Sequence, residues 1–450
     1  MPDVEEAARY PLSAQLAMCC ANERDGFDMS KFIAVMALRI RGPVDSSALR
    51  GALDDLVVRH ESLRTVLACG CDDGGEAYQS VLPPVPVPFT EQVLVPGPGE
   101  SREDAAEELL VKLHAESMPR TETPLLRAVL YRFDDRDAVL TVLSSHLAVD
   151  AWSAGILRRD LAACYRARVR GEAPELPPVR SYGEYAAQQQ EGLAGERARA
   201  VRDFWKAELA GGRIFAPAAE EVGSADRGGA VYGNAVFDLD EREMGAVRAV
   251  ARSVRGTPWH VLVAAGVLLA ARVTGVPDAA LMTNTAARDD RSFYDTVGFF
   301  ADVLPLRVDL SGCVTYRDVL LSARRACLDA SRHPLPHRVL EQDNPDFMQP
   351  RAQPENMMFL FNYARAVVGD DDIQFAGRVE QVTMRHEMPL DRGGFCIWAM
   401  WDTPSGGLRG CFEYAPERLR SGTAERWTAD FAALVSHLAT HPDQPWRDET

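Results

Sequence analysis

The stretch SSHLAVDAWS, residues 144–153, holds one histidine (His146), an aspartate four positions on (Asp150) and a tryptophan (Trp152). A histidine takes up a proton near neutral pH. An aspartate four residues away fixes either the loop or the imidazole. Such a pair suits the attack of an amine or hydroxyl on an acyl group, with the histidine as general base. The same pattern also describes a structural histidine satisfied ahead of a helix, and the spacing alone does not separate the two. Other chemistries lack their marks. There is no G-x-x-x-x-G-K-[ST], no G-x-S-x-G, no H-E-x-x-H and no G-x-G-x-x-G. Nucleotide binding, serine hydrolysis and zinc-dependent proteolysis therefore lose their usual support. His386 is followed by Glu387 but by no second histidine at zinc spacing, so it reads as a surface or strand residue.

His146 needs a strand that delivers it and a helix that follows. PLLRAVLYRF and AVLTVLSS flank a DDRD turn, as the two arms of a hairpin would, and the second arm ends at the histidine. AWSAGILRRDLAACYRARV follows as a helix with Trp152, Ile156 and Ala163 turned inward, and its first N–H groups point back at the loop. Upstream, KFIAVMALRIRG is a strand. VDSSALRGALDDLVVRH is a helix capped by Asp45, with Leu49, Leu53, Leu56 and His60 on one face. GEAPELPPVRSYGEY, residues 171–185, is rich in Pro and Gly and reads as a linker. Beyond it the order repeats in kind. A helix at RARAVRDFWKAELAG precedes strands at AVFDLD, AALMTNT, VLPLRVDL and MMFLFNYARA. The last helix places Trp427, Phe431, Leu434 and Leu438 on one core-facing stripe. The reading is two α/β halves, residues 1–175 and 176–450.

Composition agrees with two cores. The 450 residues exceed what one core holds, and 46% hydrophobic with 26% charged residues is a soluble globular profile. Asp plus Glu number 66 against 49 Lys plus Arg, a net charge of -17. That balance argues against a nucleic-acid partner, which needs clustered cations. The N-terminal MPDVEEAARY is no signal peptide. The longest apolar run, WHVLVAAGVLLAARV, is interrupted by His260 and Arg272 and is too short to span a bilayer. It reads as a buried helix with Thr257 as cap and Pro258 in the first turn, and no membrane partner is expected. Of nine cysteines only Cys69 and Cys71 sit close, with no second pair at zinc spacing. Reduced thiols, a cytoplasmic location and no metal site are the expectation.

Several segments in order resemble the condensation domains of nonribosomal peptide synthetases. PLSAQLAM is similar to the family's first segment and RHESLRTVL, residues 59–67, to its second. SHLAVDAWS stands at the HHxxxDG motif followed by W-S. SYGEYAAQQ, DFWKAELAG and VGFFADVLPLR, residues 297–307, match later segments in order. The resemblance implies a chloramphenicol-acetyltransferase-like α/β fold. Two such halves would form a V-shaped pseudo-dimer with a central substrate tunnel through the histidine loop. Phosphopantetheine arms of acyl or peptidyl carrier proteins would enter it, and no cofactor would be bound directly. The donor would be joined to an amine or hydroxyl acceptor as an amide or ester, in natural-product biosynthesis.

Residue by residue, His146 takes the place of the motif's second, catalytic histidine. Asp150 is the motif aspartate, which the family pairs with an arginine of the other half. Arg288 in NTAARDD matches that partner, and Trp152 packs under the loop. Asn362 lies on a strand that reaches the tunnel in relatives, where it orients substrate or simply bonds a neighbouring backbone. Two positions depart. Ser145 replaces the first motif histidine, and Ala151 replaces the motif glycine and narrows the space beside a pantetheine arm. The chain carries no carrier-protein serine segment and no adenylation signature, so it resembles the freestanding enzymes that act in trans. Two other readings of the same fold are a coenzyme A-dependent acyltransferase and a non-catalytic recruitment module. The missing basic cluster for coenzyme phosphates weighs against the first of these, and the intact His146 against the second. Arg158, Arg159, Arg166 and Arg168 on the helix after the loop are candidates for carrier docking.

Overall fold

At the centre of the first sheet lies the strand Asp137–Ser145, all of whose residues are buried. It reads Val139, Leu140, Val142 and Leu143 with almost no alternation, as a strand covered on both faces must. Its neighbour Leu126–Asp134 pairs antiparallel across the expected turn, with Leu130 opposite Leu140. On the other side Ile33–Arg41 pairs antiparallel with Ile33 opposite Ser145. Phe89–Val93 and Arg378–Gln381 complete a five-stranded sheet, the latter against Ile33–Arg41. The computed structural model describes residues 7–447 except 25, 71–75, 115, 221–232, 353–355, 365–377, 382–394 and 421. His386 and Glu387 lie outside the described residues.

Two helices pack on this sheet. Ser46–Arg59 is capped by Asp45, whose carboxylate accepts the Ser47 and Ala48 N–H groups, as expected. Ala151–Arg170 is capped by Asp150 and ends on Gly171 at φ 69°, the left-handed conformation in which glycine has no Cβ penalty. Leu49, Leu53 and Leu56 of the first helix meet Ile156, Leu157 and Leu161 of the second in one core. Ala163 is only half-buried, and the buried stripe runs instead through Leu157, Asp160, Leu161 and Cys164. A smaller core beside it joins Leu16, Leu67, Leu147, Tyr182, Phe293, Phe299 and Phe300, next to a three-stranded sheet of Ala8–Pro11, Tyr78–Val81 and Thr65–Ala68.

Two expectations, the linker and the reduced thiols, are corrected here. The expected linker is structured in its second part: Ser181 caps a helix Tyr182–Ala194 by accepting the Glu184 N–H. The described residues divide into two compact units whose boundary follows Gly195, and the first unit also takes in residues 286–301 and the strand Arg378–Gln381. Unit membership follows long-range packing rather than chain order. The thiols are not all reduced either, because Cys20 and Cys69 form a disulfide. They are 49 residues apart in sequence and meet only because the Ala14–Arg24 helix packs beside the Thr65–Ala68 strand.

The second unit is built on a six-stranded mixed sheet in the order Asp302–Asp309, Asp278–Thr285, Met358–Ala364, Phe395–Asp402, Leu408–Tyr414, Gly233–Leu239. The helix Pro258–Thr274 is buried without interruption from His260 to Ala271. His260 Nδ1 accepts the Thr257 N–H at its start. Among the described residues no single helix is long and apolar enough to cross a membrane. Phe431 and Leu434 of the last helix lie in the core, and the half-buried Trp427 packs on Phe359 and Phe412.

Candidate active site

The strand Asp137–Ser145 ends in a tight turn. Ser145 has no exposed surface. Its N–H donates to the Leu125 carbonyl, its carbonyl accepts the Ala148 N–H, and its hydroxyl accepts the Leu147 N–H at 3.3 Å. A serine so enclosed closes the turn. His146 follows, half-buried, and its N–H donates to the Phe32 carbonyl at 2.8 Å. Its imidazole lies flat against the Phe32 ring, with centroids 4.1 Å apart and planes 3° from parallel. The Phe299 ring meets it edge-on at 5.3 Å.

Asp150 caps the next helix by accepting the Ser153 N–H at 2.7 Å with Oδ1. Its Oδ2 accepts two further backbone donors, Phe300 N–H at 3.0 Å and Ala301 N–H at 3.1 Å. Arg288 reaches Oδ1 at 3.5 Å, and both side chains are 1% exposed. The expected pair therefore exists, but its direct contact is the longest of the four. Arg288 is held elsewhere: it donates to the Phe293 and Thr296 carbonyls at 2.7 and 2.8 Å and to the Ser153 hydroxyl at 2.8 Å. Its guanidinium stacks 3.8 Å above the Phe300 ring. Burial pulls the guanidinium below its ordinary pKa, and the Asp150 charge opposes that. Asp150 and Arg288 belong to one compact unit rather than to two halves. Ala287, just before Arg288, has φ 45°. That left-handed conformation costs a residue with a Cβ about 1–2 kcal/mol, and the contacts of Arg288 hold it in place.

The remaining expected residues sort themselves by position. Trp152 packs against the same segment: its indole N–H donates to the Tyr294 carbonyl at 2.9 Å and its ring meets Tyr294 at 5.3 Å. Ala151, the first residue of the helix, is exposed. Asn362 lies in the second unit on the strand Met358–Ala364, and its Oδ1 accepts the Asn284 N–H of the neighbouring strand at 3.2 Å. Of the four arginines considered for docking, Arg168 binds Asp55 through two bonds of 2.6 and 2.7 Å. Arg159 bridges Asp160 and Asp295. Among the described residues no group of three or more His, Cys, Asp or Glu is placed to hold a metal ion.

Sequence reasoning missed four parts of this frame. Ser153 links the helix to the distant segment, donating to the Gly298 carbonyl at 2.8 Å and accepting the Gly298 N–H at 3.1 Å. Gly298 is where the chain passes the Tyr182 ring so closely that a Cβ would collide with it. The buried Tyr182 hydroxyl donates to the Phe299 carbonyl at 2.5 Å. Two of these were visible as the serine of W-S and the glycine of VGFFADV, but nothing local says what they touch. The fourth part is His60, expected on an apolar stripe. It is instead a buried partner of Asp160 at 3.0 Å, with Arg59 and Arg159 on the same carboxylate at 2.8 and 2.7 Å. Burial alone would push the Asp160 carboxyl up, but the His60, Arg159 and Arg59 contacts outweigh it and hold it at about 2.

This arrangement presents one partly exposed histidine on a rigid turn, with the motif aspartate committed to the scaffold. The family profile described as "Condensation domain" matches residues 9–450. The phosphinothricin tripeptide synthetase PhsC of Streptomyces viridochromogenes is 31% identical over 90% of this chain, which spans 37% of PhsC. The chain spans 5% of malpinin synthetase from Mortierella alpina and 8% of a linear gramicidin synthase from Brevibacillus parabrevis, so these relatives are far longer. Among solved structures, SgcC5 of Streptomyces globisporus superposes with a TM-score of 0.84 at 30% identity, covering 97% of this chain and 100% of SgcC5. The X-domain from teicoplanin biosynthesis shares the fold, with a TM-score of 0.77 at 23% identity over 99% of both chains. The chain belongs to the condensation-domain family of nonribosomal peptide synthesis.

Proposed function

We propose that the chain is an acyl-transferring condensation enzyme acting in trans, in the cytoplasm. It takes an acyl or aminoacyl group from the phosphopantetheine arm of a separate carrier protein and joins it to an amine or hydroxyl acceptor. The observation that carries this reading is the presentation of His146: partly exposed, at the end of a fully buried strand, with its ring clamped and the motif aspartate bonded to backbone. In the step, the acceptor N–H or O–H gives its proton to the neutral imidazole while its lone pair attacks the thioester carbonyl. Collapse of the tetrahedral adduct breaks the C–S bond, and the imidazolium proton goes to the departing thiolate. The product is an amide or an ester, and the histidine is regenerated.

The crystal structure of SgcC5 is a complex with (R)-(-)-1-(2-naphthyl)-1,2-ethanediol, which supports testing a hydroxyl acceptor beside an amine. The V-shaped pseudo-dimer with its tunnel belongs to the same proposal, as do positions beside that tunnel for Ser145, Ala151 and Asn362. Docking of the carrier on the helix Ala151–Arg170 loses two of its four candidates, because Arg159 and Arg168 are committed to carboxylates.

The test is intact-mass spectrometry of acyl-loaded carrier proteins incubated with the enzyme and candidate acceptors. Loss of the acyl mass from the carrier, matched by its gain on the acceptor, is the expected result. Equal kcat/KM for a carrier-bound donor and the same acyl group on coenzyme A would replace this reading with that of a coenzyme A-dependent acyltransferase. Transfer from neither, with retained protein binding, would leave the recruitment module.

A further inference from the structure

We propose that Phe32 is a positioning residue for His146, an inference that rests on His146 being the proton acceptor. The register of the first sheet carries it. Ile33 lies opposite Ser145, so Phe32, one residue before that strand, stands opposite His146 across the antiparallel pair. The His146 N–H donates to the Phe32 carbonyl at 2.8 Å, which ties the two backbones where the ladder ends. The rings then meet face to face, 4.1 Å apart and 3° from parallel. Phe299 closes a second side, edge-on to both rings, at 5.3 Å from the imidazole and 6.1 Å from Phe32.

Phe32 is not a core residue. It remains 39% exposed and belongs to neither hydrophobic cluster of its unit. Its ring packs on the imidazole and on Phe299 rather than into the sheet core. The physical effect follows from geometry. The χ2 torsion of histidine is broad and roughly two-fold, so an unclamped imidazole samples many planes. A phenyl ring laid parallel to it removes that freedom. Both imidazole nitrogens lie in the ring plane, so a partner on the face leaves the proton-accepting direction open. The phenyl ring also offers no donor or acceptor to compete for those nitrogens. Phe299, which is 6% exposed and anchored in the smaller core, sets the second wall.

The test uses the full chain and three variants, Phe32→Tyr, Phe32→Leu and His146→Ala. The nine histidines are observed by ring NMR, and the His146 signals are those lost in His146→Ala. In the native protein they stand upfield because of the Phe32 ring current. Phe32→Tyr keeps that position and keeps kcat within about twofold, whereas Phe32→Leu moves the signals downfield and lowers kcat about 10-fold with KM nearly unchanged, the scale expected of a misoriented catalytic group. Turnover is measured with the donor and acceptor that the carrier-protein screen returns, and thermal unfolding checks that Phe32→Leu is folded. Unchanged Overhauser contacts between the His146 ring and Phe299 in Phe32→Leu overturn the proposal, as does a change confined to KM, which would make Phe32 a substrate contact. Full turnover by His146→Ala would sink the acid–base reading instead, while Overhauser contacts between the His146 ring and Phe299, kept in Phe32→Tyr and lost in Phe32→Leu, still report whether Phe32 orients the ring.

Discussion

Replacing Asp150 by alanine leaves three backbone donors without an acceptor: the N–H groups of Ser153, Phe300 and Ala301. Each buried donor left unsatisfied costs about 1–3 kcal/mol, and loss of the helix cap is part of the same sum, at about 1 kcal/mol. Water entering the vacated volume returns some of that, so a net loss of about 4 kcal/mol is expected for this corner of the first unit. Arg288→Ala should be milder. It removes the donor to the Phe293 and Thr296 carbonyls and one donor to the Ser153 hydroxyl, which keeps its two bonds to Gly298, and Asp150 keeps its three N–H partners. Because the direct contact is 3.5 Å long, a double-mutant cycle should return a coupling of about 1 kcal/mol, well below the 3–5 kcal/mol that follows breaking a tightly paired buried ion pair. The assay is amide hydrogen exchange at Phe300 and Ala301. A loss of about 4 kcal/mol corresponds to a fall in protection of about 10³-fold in Asp150→Ala. Unchanged protection there would refute the claim that the carboxylate holds this segment through its backbone. A coupling of 3 kcal/mol or more would show that the ion pair, not the N–H bonds, dominates.

His146→Ala should lower turnover by about 10²–10⁴-fold, the scale of a positioned general base, as read in single-turnover transfer from a loaded carrier. Ser145→Ala removes only the acceptor for the Leu147 N–H at 3.3 Å, so it should cost about 1 kcal/mol of stability and keep most activity; inactivity equal to that of His146→Ala would give Ser145 a direct chemical role. The Asp160 cluster makes the first unit acid-sensitive. The Asp160 carboxyl sits at about 2 when folded, below its ordinary 3.8, so its stabilisation is present above the unfolded value and is lost as pH falls from about 4 towards 2. Burial also lowers the His60 pKa below 6.5 against the pull of Asp160, so the unfolded chain binds that proton first and stability already declines as pH drops through the unfolded value. In denaturant titrations Asp160→Asn should be less stable than the native protein by about 2 kcal/mol at pH 7, with the gap closing below about pH 3. Parallel stability curves across that range would remove the role given to the cluster.

The elements that carry His146 were legible because their signals are local. The DDRD turn between two apolar runs, the Asp45 cap and the continuous apolar strand before the histidine each follow from neighbours two to four residues away. The motif itself is contiguous, so His146, Asp150 and Trp152 were named without knowledge of the fold. What those residues touch was not legible. Asp150 meets Phe300 across 150 residues and Arg288 across 138, His60 meets Asp160 across 100, and Cys20 meets Cys69 across 49. Asp150 was expected to rely on arginine and instead relies on backbone N–H groups, a kind of partner that no residue type announces. Phe32 was legible only as the start of a strand, because its place over the imidazole depends on the register between Ile33–Arg41 and Asp137–Ser145. A shift of that register by one residue would turn the ring to the opposite face. Sequence by itself thus determined the strands and helices that flank His146, the Asp45 cap and the reactive loop, since periodicity and turn chemistry act over a few bonds. Only the tertiary structure decided how the imidazole is held, because strand pairing and long-range packing choose which distant side chains and N–H groups meet.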